Sequence, residues 1–428
     1  MRYTSRSSRT PVATAVALCL AALAMAACSG SDGGAGATVF EGARLIIGDG
    51  SAPIENAVFV VEGDRITLVG EGAAVQVPRG AQHIDLSGKT VMPAIVNAHV
   101  HLPSTREARV DLLQHMAYYG AGAVMSLGLD SANVLFDMRN EVVADGAQAR
   151  LAGRGITAPE PGRSEVPFWI TSEAEARAAV QELAAQQVDV VKIWVDDRNG
   201  QYPKLTPALY GAVIEEAHSN GLRVTAHVFT LEDAKGLLRA GIDMFAHGIR
   251  DRDIDDELVA LWKERPDVVL VPNLPDPGVA VDFAWLSGSV PADEVQSMQE
   301  RSTDRPAAQA SFGIQARNLA RLNREGIKIA FGTDGGVPWA THLEMEDMVR
   351  TGMTAAQVIV AATGTSAELM RMPDVGTLAT GKSADFVVLD ANPLDDITNT
   401  RRISAVYLRG VAVDRDGLGA RFRGGMRP

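Results

Sequence analysis

Short apolar runs and amphipathic stretches alternate through the middle of this chain. Eight apolar runs, each short enough for a single strand, occupy positions 91–100, 122–128, 151–157, 188–195, 222–228, 244–248, 268–274 and 327–334. Between several of these runs, apolar residues recur every three to four positions, which is typical of a helix with one buried face. Alternating strands and helices require parallel pairing, and eight such units close into a barrel. The pattern therefore predicts an α/β fold, a (β/α)8 barrel of the TIM type.

Two of the helical stretches carry clear start and stop signals. Ser172 and Glu175 form a capping-box pattern at the beginning of segment 172–187. The residues that this helix is predicted to bury are Ala176, Ala179, Val180 and Leu183. A second helix is predicted over 207–220, where Gly221 ends it.

Both ends of the chain have strand patterns without helices between them. In residues 39–92 and again in 371–428, apolar alternation is interrupted by turn residues such as those at 48–50. Neither segment is long enough to form a sound sheet alone. We therefore predict that the two segments pair into a small β-sandwich domain beside the barrel, which would occupy residues 93–370.

The first 27 residues have the composition of a signal peptide. Three arginines precede an apolar run at 12–24, which is too short to cross a bilayer. Cys28 follows small residues and begins a glycine- and serine-rich segment, predicted to be a flexible tether over 28–38. This arrangement predicts an exported lipoprotein of the bacterial cell envelope, anchored through Cys28 at the periplasmic face of the outer membrane. The alternative is a periplasmic or secreted protein in which Cys28 carries no lipid.

The charge balance excludes several classes of partner. The 428 residues have a net charge of −13, and loss of the three arginines in the signal peptide would change it to −16. Such a chain is repelled by nucleic acid and by anionic membrane surfaces. The expected partners are a small-molecule substrate and, only through the lipid anchor, the membrane. The sequence leaves a homo-oligomer open.

Six side chains suited to binding metal stand at the ends of predicted strands. They are His99, His101, Lys192, His227, His247 and Asp334. Catalytic groups of parallel barrels lie at the C-terminal ends of the strands. Two histidines separated by one residue on a strand face the same side, and paired imidazoles suit zinc. The pattern therefore predicts a hydrolase with two metal ions.

Lys192 interrupts an apolar strand in a chain that has only seven lysines. A buried ammonium group is unfavourable and cannot bind a metal. Burial lowers the pKa of a lysine and favours the neutral amine, which can take up CO2 to form a carbamate with two oxygen atoms. The alternative is a lysine whose stem packs in the barrel while its ammonium group pairs with a carboxylate.

Three stretches carry a resemblance to a known family. Gly-Lys-Thr at 88–90 and Pro93 lead into His-Val-His at 99–101, the other predicted ligands follow at strand ends, and Gly-Thr-Leu at 376–378 precedes Gly-Lys-Ser-Ala-Asp at 381–385. Over residues 39–428 the chain resembles the amidohydrolase superfamily, in particular its imidazolonepropionase-like and prolidase-like branch with a lysine bridge. The resemblance implies a distorted barrel joined to N- and C-terminal β-segments.

The resemblance also implies a binuclear site and a reaction. Two divalent ions, expected to be Zn²⁺, would activate a bridging hydroxide that attacks the amide bond of a dipeptide, an N-acyl amino acid or a cyclic amide. Asp334 would transfer the proton to the leaving nitrogen. The implied ligands are His99, His101 and Asp334 for one ion, His227 and His247 for the other, and the carbamate of Lys192 between them.

The sequence leaves the substrate open. A lactonase or a phosphoesterase on the same two metals is an alternative, and a non-catalytic binding lipoprotein is a third hypothesis. Segment 155–162 lacks the longer Gly-Gly-His loop of peptidase relatives, which argues against a dipeptidase. Candidate substrate contacts, each with a structural role as the alternative, are His342, Tyr119 and Asn273. No pattern indicates which arginine, if any, faces the pocket to bind a substrate carboxylate.

Overall fold

The computed structural model of this chain describes residues 36–131 and 136–424. The predicted signal peptide and all but the last three residues of the predicted tether lie outside these ranges. The first strand begins at Ala37, two residues before the predicted start of the N-terminal β-segment. Within the described ranges, no helix is both long enough and apolar enough to cross a membrane.

Strands and helices follow one another in the order expected for an α/β protein. The strands are β1 (Ala37–Leu45), β2 (Ile54–Glu62), β3 (Arg65–Glu71), β4 (Gln82–Asp85), β5 (Thr90–Pro93), β6 (Ile95–Val100), β7 (Ala121–Ser126), β8 (Gln148–Leu151), β9 (Ile156–Thr157), β10 (Phe168–Trp169), β11 (Val191–Val195), β12 (Val224–Val228), β13 (Met244–Ala246), β14 (Val269–Val271), β15 (Phe386–Leu389), β16 (Ile403–Leu408) and β17 (Val411–Ala412). The α-helices are α1 (Arg106–Tyr118), α2 (Glu173–Ala185), α3 (Pro207–Ser219), α4 (Leu231–Ala240), α5 (Asp256–Lys263), α6 (Ala292–Arg301), α7 (Pro306–Arg324), α8 (Ala340–Arg350), α9 (Ala355–Val360), α10 (Ser366–Leu369) and α11 (Arg415–Arg423).

Strands from both ends of the chain share one curved sheet. Its order is β17-β16-β15-β5-β1-β2-β3, with β4 also paired to β1. The ring centroids of Phe40 on β1 and Tyr407 on β16 are 5.1 Å apart, although two strands lie between them, a distance of roughly 14 Å across a flat sheet. The sheet therefore folds over an aromatic core that also contains Phe59 and Phe386. Strand pairing joins these strands in one continuous sheet, rather than in the two separate sheets of the predicted β-sandwich.

The middle of the chain forms parallel sheets, as the alternating pattern predicts. One has the order β10-β9-β11-β12-β13-β14 and the other β6-β7-β8, and every pairing in both is parallel. Helices α3, α4 and α5 connect β11 to β14. Helix α2 begins with the predicted capping box at Ser172 and Glu175, and the four apolar residues predicted for its inner face are buried.

Three of the predicted strands are wrong in detail. Segment 151–157 is divided between the two parallel sheets, because Leu151 ends β8 and Ile156 begins β9. Segment 91–100 is two strands in different sheets, because the hydrogen-bonding partner changes from Asp385 at Ala94 to Gly120 at Ile95. Segment 327–334 is not a regular strand, and it pairs with β14 through a single bridge at Ile329. An extended strand cannot continue to the end of that segment, since Asp334 has a left-handed φ of 53°.

Candidate metal centre

The parallel sheets bring predicted ligands from distant parts of the chain to one cavity. His99 lies near the end of β6 and His101 just beyond it, while Lys192 and His227 lie on the neighbouring strands β11 and β12. The histidines lie near or just beyond carboxyl ends of strands, as predicted, whereas Lys192 is the second residue of β11 and not at its end. A cavity of about 250 Å³ is lined by all six: His99, His101, Lys192, His227, His247 and Asp334.

Asp334 is the centre of this cluster. Its Oδ1 lies 3.0 Å from His101 Nε2 and 3.4 Å from His99 Nε2, and its Oδ2 lies 3.6 Å from His247 Nε2. The backbone N–H of Asp334 donates to the carbonyl of His99 at 2.9 Å, which fixes the carboxylate against β6. Burial raises the pKa of this carboxyl group, but the hydrogen bond to His101 is the largest of the effects that bring the pKa below its usual range. Asp334 is therefore ionised, and it faces histidines rather than capping a helix.

Three of these residues form a group that could hold a metal ion. The ligand atoms of His99, His247 and Asp334 lie within 4.8 Å of one another. His99 Nδ1 lies 2.8 Å from the side-chain oxygen of Asn273. Because that oxygen can only accept, Nδ1 carries the proton. The buried Nε2, which makes no hydrogen bond among the described residues, keeps its lone pair for a metal. Burial also lowers the pKa of His99 well below its ordinary value, so the ring is neutral.

Lys192 is buried and its amine has no hydrogen-bonding partner among the described residues. Burial lowers the pKa of this lysine to about 7, opposed by the charge of Asp334. The predicted alternative, an ammonium group paired with a carboxylate, is absent from the described residues. Trp194 lies on the same face of β11 and lines the same cavity, with Lys192 Nζ 5.4 Å from its ring centroid. A buried amine with a lowered pKa and no hydrogen-bonding partner among the described residues fits the carbamate hypothesis.

His227 has neighbours that the sequence analysis missed. Its ring centroid lies 4.5 Å from that of His247, but its Nε2 lies 3.0 Å from an oxygen of Asp196 and 3.1 Å from Nη1 of Arg198. A metal ion at His227 would take the place of these contacts. Asp196 lies four residues after Lys192. The period of two along an extended strand could therefore have predicted that both side chains face the same side. Arg198 also forms an ion pair with Glu160, a buried residue of the loop after β9, with 3.0 Å between Nε and Oε1. The sequence carries no signal for this long-range contact.

The three predicted substrate contacts do not line this cavity. Asn273 instead orients His99, so it is a partner of a ligand. His342 is buried in α8, where its Nδ1 lies 3.0 Å from the Thr400 hydroxyl and burial lowers its pKa to about 3. Tyr119 Oη lies 2.6 Å from the hydroxyl oxygen of Ser289 inside an aromatic cluster. Tyr119 directly follows α1, and His342 lies on the buried side of α8. Both side chains are therefore packed apart from the predicted ligands.

The chain is similar to known proteins over most of its length. A family model described as the amidohydrolase family matches residues 90–413. The chain is 28% identical to an uncharacterised protein of Mycobacterium tuberculosis over 76% of this chain and 85% of that protein. It is 25% identical to an imidazolonepropionase of Streptomyces coelicolor over 79% of this chain and 86% of the relative. The fold matches the crystal structure of a Xaa-Pro dipeptidase with a TM-score of 0.71 and 24% identity, over 88% of this chain and 99% of that chain.

Proposed function

This chain belongs to the amidohydrolase family and is a hydrolase of carbon–nitrogen bonds, and from that premise we propose that it cleaves an amide bond in a small molecule with two divalent metal ions. The candidate substrates are dipeptides, N-acyl amino acids and cyclic amides. One observation carries the proposal: two buried nitrogen atoms without partners among the described residues, Nε2 of His99 and Nζ of Lys192, line the same small cavity as the carboxylate of Asp334.

The donor set fits divalent ions, with zinc preferred for its imidazole ligands. When bound, such ions polarise a carbonyl group and lower the pKa of a water molecule. Asp334 takes a proton from the attacking water at a carboxylate oxygen and returns it to the departing nitrogen. The neutral amine of Lys192 adds to CO2: a nitrogen–carbon bond forms as one carbon–oxygen π bond opens to an oxyanion, and the nitrogen releases a proton to solvent water. The residues that would hold the ions are His99, His101 and Asp334 for the first, His227 and His247 for the second, and the Lys192 carbamate for both.

The proposal includes a closed barrel. Backbone hydrogen bonds lie at both gaps between the parallel sheets. At one gap, the N–H of Asp189 donates to the carbonyl of Leu151 at 2.8 Å; at the other, the N–H of Ala98 donates to the carbonyl of Phe331 at 2.8 Å. Segment 327–331 bonds in turn to β14, so it can complete the ring as the eighth unit without being a regular strand.

Replacing Asn273 by alanine should weaken metal binding by about 10- to 100-fold, the usual effect of losing a hydrogen bond that orients a histidine ligand. The physical reason is that His99 loses the acceptor that holds its proton on Nδ1 and its Nε2 toward the cavity. Zinc affinity is measured by competition with a chromophoric chelator. Asn323→Ala, at a half-buried position outside the cavity lining, is the control, and equal affinities of both variants would contradict this role.

Release of amine by the zinc-reconstituted full chain tests the proposed function. The panel contains dipeptides, N-acetyl amino acids and cyclic amides, and the bound metal is counted by atomic emission in the same preparation. We expect two ions per chain and release from one of these three classes. Two bound ions with no release from any class would contradict the proposal, and hydrolysis of lactones or phosphoesters would then identify the bond.

A further inference from the structure

An arginine is held at the mouth of the metal cavity by a tight turn. Residues 160–163 have the sequence Glu-Pro-Gly-Arg, Gly162 has a φ of +80°, and the N–H of Arg163 donates to the carbonyl of Glu160 at 3.1 Å. Proline followed by glycine with positive φ matches the two central positions of a type II turn. The turn directs Arg163 to the cavity that the predicted metal ligands line.

Charged neighbours fix the direction of this side chain. Arg163 Nη1 lies 2.6 Å from Oε2 of Glu160, whose carboxylate is buried with 2% of its side chain exposed. The other oxygen of Glu160 accepts from Arg198 at 3.0 Å, and Arg198 is held by Asp196 at 2.5 Å. Because Glu160 is buried and also paired with Arg198, its carboxylate stays in place. It therefore holds the Arg163 guanidinium group at the mouth of the cavity before any ligand binds.

The guanidinium group keeps donors free for a ligand. It carries five N–H groups, and its contact with Glu160 is its one hydrogen-bonded contact among the described residues. The side chain is 45% exposed although it lines the cavity, so a molecule entering from solvent can reach it. Lys192 is the other lysine or arginine of the cavity lining within the described residues, and it is buried. Arg163 is thus the exposed arginine of this lining, open to a molecule that enters from solvent.

We propose that Arg163 binds a carboxylate group of the substrate, so that the enzyme acts on N-acyl amino acids or dipeptides with a free carboxylate rather than on cyclic or otherwise neutral amides. This inference rests on the proposed function, because it assigns the substrate class of the same site. A guanidinium group matches a carboxylate in shape and charge and forms two parallel hydrogen bonds with it, which a neutral amide cannot match.

Matched acids and carboxamides test this assignment. N-acetyl derivatives of leucine, phenylalanine and arginine are compared as free acids and as carboxamides, by kcat/KM where they are cleaved and by calorimetric Kd where they are not. We expect the natural chain to prefer acids by about 10- to 100-fold, as for a hydrogen bond between charged groups. Arg163→Gln should remove this preference by weakening only the acids, and Arg163→Lys should keep part of it.

The control is Arg317→Gln, which removes a comparable pair between an arginine and Asp253 on the exposed surface. Equal losses for acids and carboxamides in Arg163→Gln, or no preference in the natural chain, would overturn the assignment of Arg163. Preferential binding of acids without cleavage of any compound would instead support Arg163 and contradict the proposed amide hydrolysis. The two failures are therefore distinguishable.

Discussion

Replacing Asp334 by asparagine should lower turnover by about 10²- to 10⁴-fold, the range for loss of a general acid–base group. Asparagine has nearly the same shape and keeps an oxygen near His101, but it cannot accept a proton at neutral pH. The natural carboxyl group is ionised, because its pKa lies below the usual range despite burial, chiefly through the hydrogen bond to His101. Turnover is measured on whichever substrate of the amide panel is cleaved fastest.

The comparison for Asp334→Asn is Asp253→Asn, which removes a carboxylate from the exposed surface. Both variants are first checked for folding by thermal unfolding and for zinc content by atomic emission. Undiminished turnover in Asp334→Asn, with zinc bound, would show that another group transfers the proton.

Replacing Lys192 by alanine should reduce the bound metal from two ions per chain to one or fewer. Turnover should fall by more than about 10- to 100-fold, which is the usual effect of losing a group that only orients a metal ligand. The substitution removes the amine that would carry the carbamate and leaves space in the cavity. Acetate or propionate added at high concentration should therefore restore part of the activity, since a small carboxylate offers the same two oxygen atoms.

A direct measurement of the carbamate accompanies this variant. After incubation with ¹³C-labelled bicarbonate, the natural chain should show a carbamate carbon signal by nuclear magnetic resonance, and Lys192→Ala should lack it. Lys328→Ala, which removes an exposed lysine paired with Glu368, should retain both the signal and the metal. Two bound ions in Lys192→Ala would contradict the role of Lys192 as a ligand.

The sequence was sufficient for the features that depend on local periodicity. The period of two along a strand placed His99 and His101 on one face, and parallel pairing brought Lys192 and His227 to the same cavity. Ser172 began its helix with a capping box, because that motif depends on residues three positions apart. Such predictions succeed when the physical cause lies within a few residues.

Features set by long-range packing could not be predicted in this way. Tyr119 and His342 lie on helices whose buried faces depend on neighbouring elements, so their separation from the cavity is a tertiary effect. Asn273 has a left-handed φ of 42°, which ends the extended pattern that suggested a side chain facing the substrate. The Pro-Gly signal for a turn before Arg163 was present in the sequence, but the cavity that the turn faces is built from distant strands.

The connection between β5 and β6 has a consequence for protein engineering. A single residue, Ala94, separates a strand of the curved sheet from the strand that carries His99. The curved sheet also takes β15, β16 and β17 from the other end of the chain, so it is not one contiguous segment. A chimaera that exchanges this sheet between relatives needs two crossover points, and the first must keep Pro93 and Ala94 with the histidine strand from the same parent. Relatives that diversify by recombination are therefore expected to exchange the loops after the strands more readily than the sheet.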